Sequence, residues 1–169
     1  MITGKAELEK RLSQMSRVDT KPIVGKGISF VQEVAKSNCP VGDGELRQSI
    51  YTDVDDDSGI ARGTCFPSAA HGPYVEFGTG PKGQASHEGV SPDVAVAYTL
   101  EPWWIHEGPG ENEIGRATAE HYHFQYIDTP QGRFYKCTGQ AAQPYLYPAL
   151  KDNEENVLKI MAEEMKKQL

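Results

Sequence analysis

Apolar residues recur at helical spacing at both ends of the chain and alternate with polar ones in its middle. Leu8, Leu12 and Met15 share one side of a segment from about Lys5 to Met15, which predicts an amphipathic helix. Lys21-Pro22 interrupts it. Val24, Ile28, Val31, Val34 and Ala35 then resume the helical spacing toward an end near Ser37. Asn38-Cys39-Pro40 closes this second helix, because the residue before a proline disfavours helical backbone. Val41-Gly42-Asp43-Gly44 reads as a turn, and Glu45 to Ile50 as a short helical or extended piece.

Ser49 to Val54 reads as a strand, Asp55-Asp56-Asp57-Ser58-Gly59 as a hairpin turn and Ile60 to Phe66 as the returning arm. The stretch from Ala69 to Gly80 predicts one amphipathic helical turn. Tyr74 and Phe77 project from the same face, and Pro73 suits a first helical position. Gly78 and Gly80 supply positive φ to stop the helix. From Pro81 to about Ala119 the chain is irregular and rich in Gly, Pro and Glu, and connections of this length usually serve binding. Pro102-Trp103-Trp104-Ile105 sits inside it as a lid over the domain's own core or an anchor for a partner.

His121 to Ile127 alternates and reads as a strand, with Asp128 to Gly132 turning into a second arm, Arg133 to Cys137. Pro144 opens the last helix, along which Leu146, Leu150, Val157, Ile160, Met161 and Met165 form one side. The order of elements predicts an α+β fold. It would be one domain over 1–169: a small, mostly antiparallel sheet packed by N-terminal helices and a long C-terminal helix, with a long loop insertion at 81–119.

Composition narrows the function more than the fold. The 169 residues are 38% hydrophobic and 24% charged, as in ordinary globular proteins. No apolar run approaches the roughly 20 residues a bilayer span needs. The first 17 residues lack a signal peptide's apolar centre, so the protein is expected to stay where it is made. A formal net charge of −7 with no Lys/Arg cluster argues against tight holding of a phosphate backbone. Cys39, Cys65 and Cys137 are widely spaced and odd in number, which fits a reducing compartment and small buried or half-exposed thiols.

Candidate chemistry is sparse. His106-Glu107 with His121 and His123 is the only grouping with metal-ligand character. It would serve a small metal-dependent hydrolase, the alternative function, but HExxH spacing is missing. The bland reading is a solvated strand face. Gly78 to Gly83 is glycine-rich without being a phosphate loop, since Lys82 is not followed by Ser or Thr. Glu76, between aromatics, reads as an exposed or capped charge, and the three aspartates at 55–57 as a solvated turn. No cofactor, metal or catalytic residue is expected.

Three segments, in order, resemble the tailed-bacteriophage minor tail component family of neck, tail-completion and head–tail joining proteins. They are Cys39-Pro40-Val41-Gly42-Asp43-Gly44-Glu45-Leu46-Arg47-Gln48-Ser49-Ile50, then Tyr74-Val75-Glu76-Phe77-Gly78-Thr79-Gly80, then Gly139-Gln140-Ala141-Ala142-Gln143-Pro144-Tyr145-Leu146-Tyr147-Pro148-Ala149-Leu150. The second matches the family motif residue by residue. The chain departs at Gly42-Asp43, where Asp-Thr is usual, and in a longer Trp- and His-bearing insert between Gly80 and Gly139.

The resemblance implies a non-enzymatic virion protein of the neck or upper tail, made in the host bacterial cytoplasm. It implies a ring of copies of the chain, six by family expectation, around the DNA channel. Tail tube protein and head-completion or connector proteins would be its neighbours, with DNA passing through unbound and no membrane involved. Tyr74, Val75, Glu76, Phe77, Gly78, Thr79 and Gly80, with Trp103 and Trp104, are the expected partner interface.

Overall fold

The computed structural model describes residues 4–42, 44–110 and 112–169. In chain order the elements are α1 (Lys5–Met15), α2 (Thr20–Asn38), α3 (Glu45–Gln48), β1 (Ile50–Asp57), β2 (Ile60–Pro67), α4 (Gly72–Phe77) and α5 (Gly80–Ala85). They continue with β3 (Trp103–Glu107), β4 (Glu113–Ile114), α6 (Arg116–His121), β5 (Tyr126–Thr129), β6 (Gly132–Cys137), α7 (Tyr147–Lys151) and α8 (Glu154–Lys166). The fold is α+β. It divides into two compact units, Met1–Gly72 with Tyr145–Leu169, and Pro73–Pro144.

The first unit is built on α2. Asp19 caps it by accepting from the Lys21 amide at 3.0 Å, and Pro22 falls in the first turn, where a missing N–H costs nothing. The helix therefore begins before the proline expected to interrupt it. Ile23, Gly27, Val31 and Ala35, each four residues apart, form its buried stripe. Gly27 lets α8 come close: a Cβ there would stand 2.9 Å from Met161 Cγ. Gly63 does the same for β2, facing Val24 and Ile28. Fully buried Ile50, Tyr145 and Ala149 complete the core with Cys39 and Leu46. Burying a side chain the size of Ile50 is worth about 1.5–3 kcal/mol.

β1 and β2 form a two-stranded ribbon with Ile50 opposite Pro67 and Asp57 opposite Ile60. The aspartates expected in the turn are paired strand residues. The turn is only Ser58-Gly59, with φ of 56° and 83°, the type I′ geometry whose twist matches that of the strands. Asp56 and Asp57 still serve the turn, accepting from the Gly59 amide and the Ser58 hydroxyl at 3.1 Å each. The expected Val41–Gly44 turn includes Asp43, which lies outside the described residues.

The last helix is two helices. α7 and α8 are separated at Asp152-Asn153, where Asn153 Nδ2 donates to the Ala149 carbonyl at 3.2 Å and competes with helix continuation.

The second unit holds a separate four-stranded sheet in the order β4-β3-β6-β5. β3 and β5 run antiparallel to β6, and β4 pairs parallel to β3 over two residues. One sheet flanked by both helical ends was expected; the described residues form two, and the terminal helices belong to the first unit. The expected loop at 81–119 contains β3, β4 and most of α5 and α6, and Trp103-Trp104-Ile105 is strand. Of the expected His121–Ile127 strand only Tyr126 and Ile127 are extended, in β5; the rest is replaced. α6 runs to His121 and ends in a Schellman motif, with Phe124 N donating to Ala119 O at 2.9 Å and His123 N to Glu120 O at 3.1 Å. His123 takes the left-handed position, φ 55°, that glycine usually fills. Without glycine, the alternation His-Tyr-His-Phe imitates a strand.

Candidate functional site

The Tyr74–Gly80 turn is held by the segment that contains the third motif. Thr79 and Gln140 form a two-way backbone bridge, Thr79 N donating to Gln140 O at 2.9 Å and Gln140 N to Thr79 O at 3.1 Å. Gln140 Nε2 reaches the Tyr74 carbonyl at 2.7 Å, and Gln143 N donates to the Val75 carbonyl at 2.8 Å. Both groups are carbonyls of a six-residue helix too short to use them internally. The two motifs are thus the two sides of one clasp.

The clasp closes on glycine. Gly78, at φ 72°, is so near the returning segment that a Cβ would stand 2.7 Å from Ala142 N. Gly80 is packed by Trp103, whose Cζ3 would lie 2.8 Å from such a Cβ. On the same side Tyr98 donates its hydroxyl to the Phe77 carbonyl at 2.7 Å. Tyr74, Phe77, Gly80, Val96, Tyr98 and Trp103 line an open cleft of about 480 Å³, and no charged residue lines it.

The nine residues expected at the interface do not form one surface. Tyr74, Phe77, Gly78, Thr79, Gly80 and Trp103 meet in the cleft. Val75 and Glu76 do not line it, and Glu76 is buried at 3% exposure, which rules out the exposed half of the exposed-or-capped expectation. Trp104, next to Trp103 on β3, faces the other side of the sheet and is 46% exposed. It shares that face with His106, Phe134 and Ile127.

The histidine grouping is not a ligand set. His106 and Glu107 are consecutive strand residues on opposite faces. His106 Nδ1 lies 2.9 Å from Glu113 Oε1 and Nε2 lies 3.2 Å from the Gln131 carbonyl. Both neighbours are acceptors, so the doubly protonated ring satisfies both. The Glu113 hydrogen bond, then that of Gln131, holds the His106 pKa above its ordinary value. Glu107 is taken by Arg116, at 2.8 and 3.2 Å, and by the Tyr135 hydroxyl at 2.5 Å. These bonds, Arg116 first, lower its carboxyl to about 2. His121 and His123 stand at the end of α6. Among the described residues no group of three or more His, Cys, Asp or Glu is placed to hold a metal ion. The four residues of the hydrolase reading are thus not gathered into a ligand set among the described residues.

Sequence reasoning missed the Glu107–Arg116–Tyr135 network and its neighbour, in which Arg133 pairs with Asp128 at 2.8 Å and stacks over the Tyr126 ring at 4.0 Å. The strand alternation Tyr135-x-Arg133 opposite Tyr126-x-Asp128 carried that signal. The strand residues among them share the sheet face opposite Trp104.

Residues 5–78 match the family model described as "Bacteriophage HK97-gp10, putative tail-component". This supports a tailed-phage minor tail family, which the three motifs resemble. The matched span takes in the Cys39–Ile50 motif and Tyr74–Gly78. The Gly139–Leu150 motif lies beyond it and meets the second motif only in the fold. No curated protein and no solved structure matches the chain significantly.

Proposed function

We propose that this phage tail component is a tail-completion or head–tail joining protein, a non-enzymatic subunit of a ring around the DNA channel in the neck or upper tail. The match over 5–78 carries the reading. The clasp supports it, because it accounts physically for motif residues that have no chemistry to perform. A ring requires a heterologous contact, two different patches on one subunit that fit each other. The aromatic cleft and the Trp104 face are two such patches on opposite sides of the clasped unit, with six copies the expected closure. Tail tube protein and head-completion or connector proteins would contact the ring above and below.

The charge fits passage rather than retention of the genome. With a net charge of −7, a lumen wall on which Asp and Glu outnumber Lys and Arg repels phosphates and lowers friction. Among the described residues, no helix is long and apolar enough to cross a membrane. Labelling the protein in purified particles tests the reading. The label at the head–tail junction is expected, and intact virions lacking the chain would overturn it. A knockout separates the two roles: finished tails beside filled heads mean joining, and tails of abnormal length mean termination.

A further inference from the structure

Among the described residues, two apolar features of the chain stand uncovered, one flanked by cations and the other by acids in sequence. α1 has 11 residues and none is buried; Leu8, Leu12 and Met15 are 58%, 56% and 53% exposed. Helices shorter than about 12–15 residues are marginal in water without packing, so this stripe needs a surface to lie on. Lys5 and Arg11 flank it, three residues from Leu8 on either side. Their pairings with Glu9 and Glu7 are solvent-exposed and hold little. Lys5 to Arg17 carries four cations against two carboxylates.

The cleft between Tyr74, Phe77, Tyr98 and Trp103 is the converse. Its lining is uncharged and aromatic. One wall, Val96 to Thr99, belongs to the stretch between Lys82 and Arg116, which contains no Lys or Arg. Glu88, Asp93 and Glu101 bracket that wall in sequence. An apolar helix edged with cations suits an apolar groove one wall of which is flanked along the chain by exposed acids and no cation, an arrangement that favours helix-in-groove docking.

We infer that α1 of one copy docks its Leu8–Leu12–Met15 stripe into the Tyr74–Trp103 cleft of a second copy. The inference deepens the ring reading and rests on it. It supplies the heterologous contact by which one copy reaches the next.

The test uses the full-length chain and sedimentation across micromolar to millimolar concentrations. Wild type is expected to self-associate, more weakly as salt rises. Leu8→Asp/Leu12→Asp and Tyr74→Asp should each weaken self-association about tenfold or more. Mixed together they should form a one-to-one pair, because the first keeps an intact cleft and the second an intact helix. Leu8→Gln/Leu12→Gln, with unchanged circular dichroism, guards against a folding defect. If wild type associates while the α1 variants associate equally well, or the mixture fails to pair, the contact is overturned and a ring built on other surfaces still stands. Wild type monomeric at every concentration overturns the contact as well. The ring reading itself falls only if the particles lack the protein.

Discussion

Gly139 lies against the backbone of Thr79 so closely that a Cβ on it would stand 1.9 Å from the Thr79 carbonyl oxygen. Its φ of 79° is also one that side chains resist. Gly139→Ala must therefore open the clasp or distort it. A loss of about 3 kcal/mol or more is expected, a drop of roughly 6–12 °C in thermal midpoint for a chain of this size. Gly25→Ala is the contrast, since a Cβ there meets nothing within 4 Å inside α2. It should stabilise by about 0.5–1 kcal/mol. Equal midpoints for the two variants would contradict the close approach at Gly139.

Glu107 gives the stability a dependence on acid. Its carboxyl titrates at about 2 when folded, held down by Arg116 and Tyr135, against roughly 4.3 in an unfolded chain. A lowered folded value means the contribution is complete above the unfolded value and is lost as pH falls toward 2. Glu107→Gln should lower stability at pH 7 and flatten the loss between about pH 4.3 and 2. Urea unfolding at several pH values reads both effects.

His106 works in the opposite sense. Its folded pKa is raised, chiefly by the hydrogen bond to Glu113, so its contribution is full below the unfolded value and disappears as pH climbs through the folded one. Proton NMR of the ring should give a midpoint above the ordinary value of about 6.5. In Glu113→Gln the midpoint should fall back toward it. An unshifted wild-type ring would deny the Glu113 bond.

The paired tryptophans should separate in their effects. Trp103 packs on Gly80, so Trp103→Ala should cost on the order of 2–3 kcal/mol, below the 3–5 seen for fully buried rings. Trp104 is 46% exposed, and Trp104→Ala should change stability by less than about 1 kcal/mol while reducing the yield of joined, infectious particles. Normal assembly with Trp104→Ala would remove its face from the interface.

The thiols offer a check on the core. Cys39 is 2% exposed, and burial raises its pKa. Cys65 and Cys137 are partly accessible. Iodoacetamide labelling followed by mass spectrometry should modify Cys39 only after unfolding.

Helix existence was legible wherever one apolar face persisted, as in α1 and α2, and the Tyr74–Gly80 turn was readable from its proline and glycines. What failed was governed by contacts between distant residues. β3 is a strand because Trp103 to His106 pair with Phe134 to Cys137, and nothing near Trp103 announces those partners. The end of α6 escaped because His123 stands where glycine usually signals the stop. The interface residues split because alternation on β3 sends Trp103 and Trp104 to opposite faces, a rule that applies only once the segment is known to be extended. The burial of Glu76 had one local cue, the aromatics Tyr74 and Phe77 near it in sequence, and a short helix does not by itself say which of its faces is covered.

The bridge between Thr79 and Gln140 has a consequence for how such a chain can diversify. Departure and return are fastened side by side, so the polypeptide hung between them begins and ends at one fixed point. Lengthening that span away from Tyr98 and Trp103, which brace the clasp, adds little closure entropy and leaves the anchors in register. Relatives could then carry different appendages on the same stem, and an engineer could graft a foreign module there.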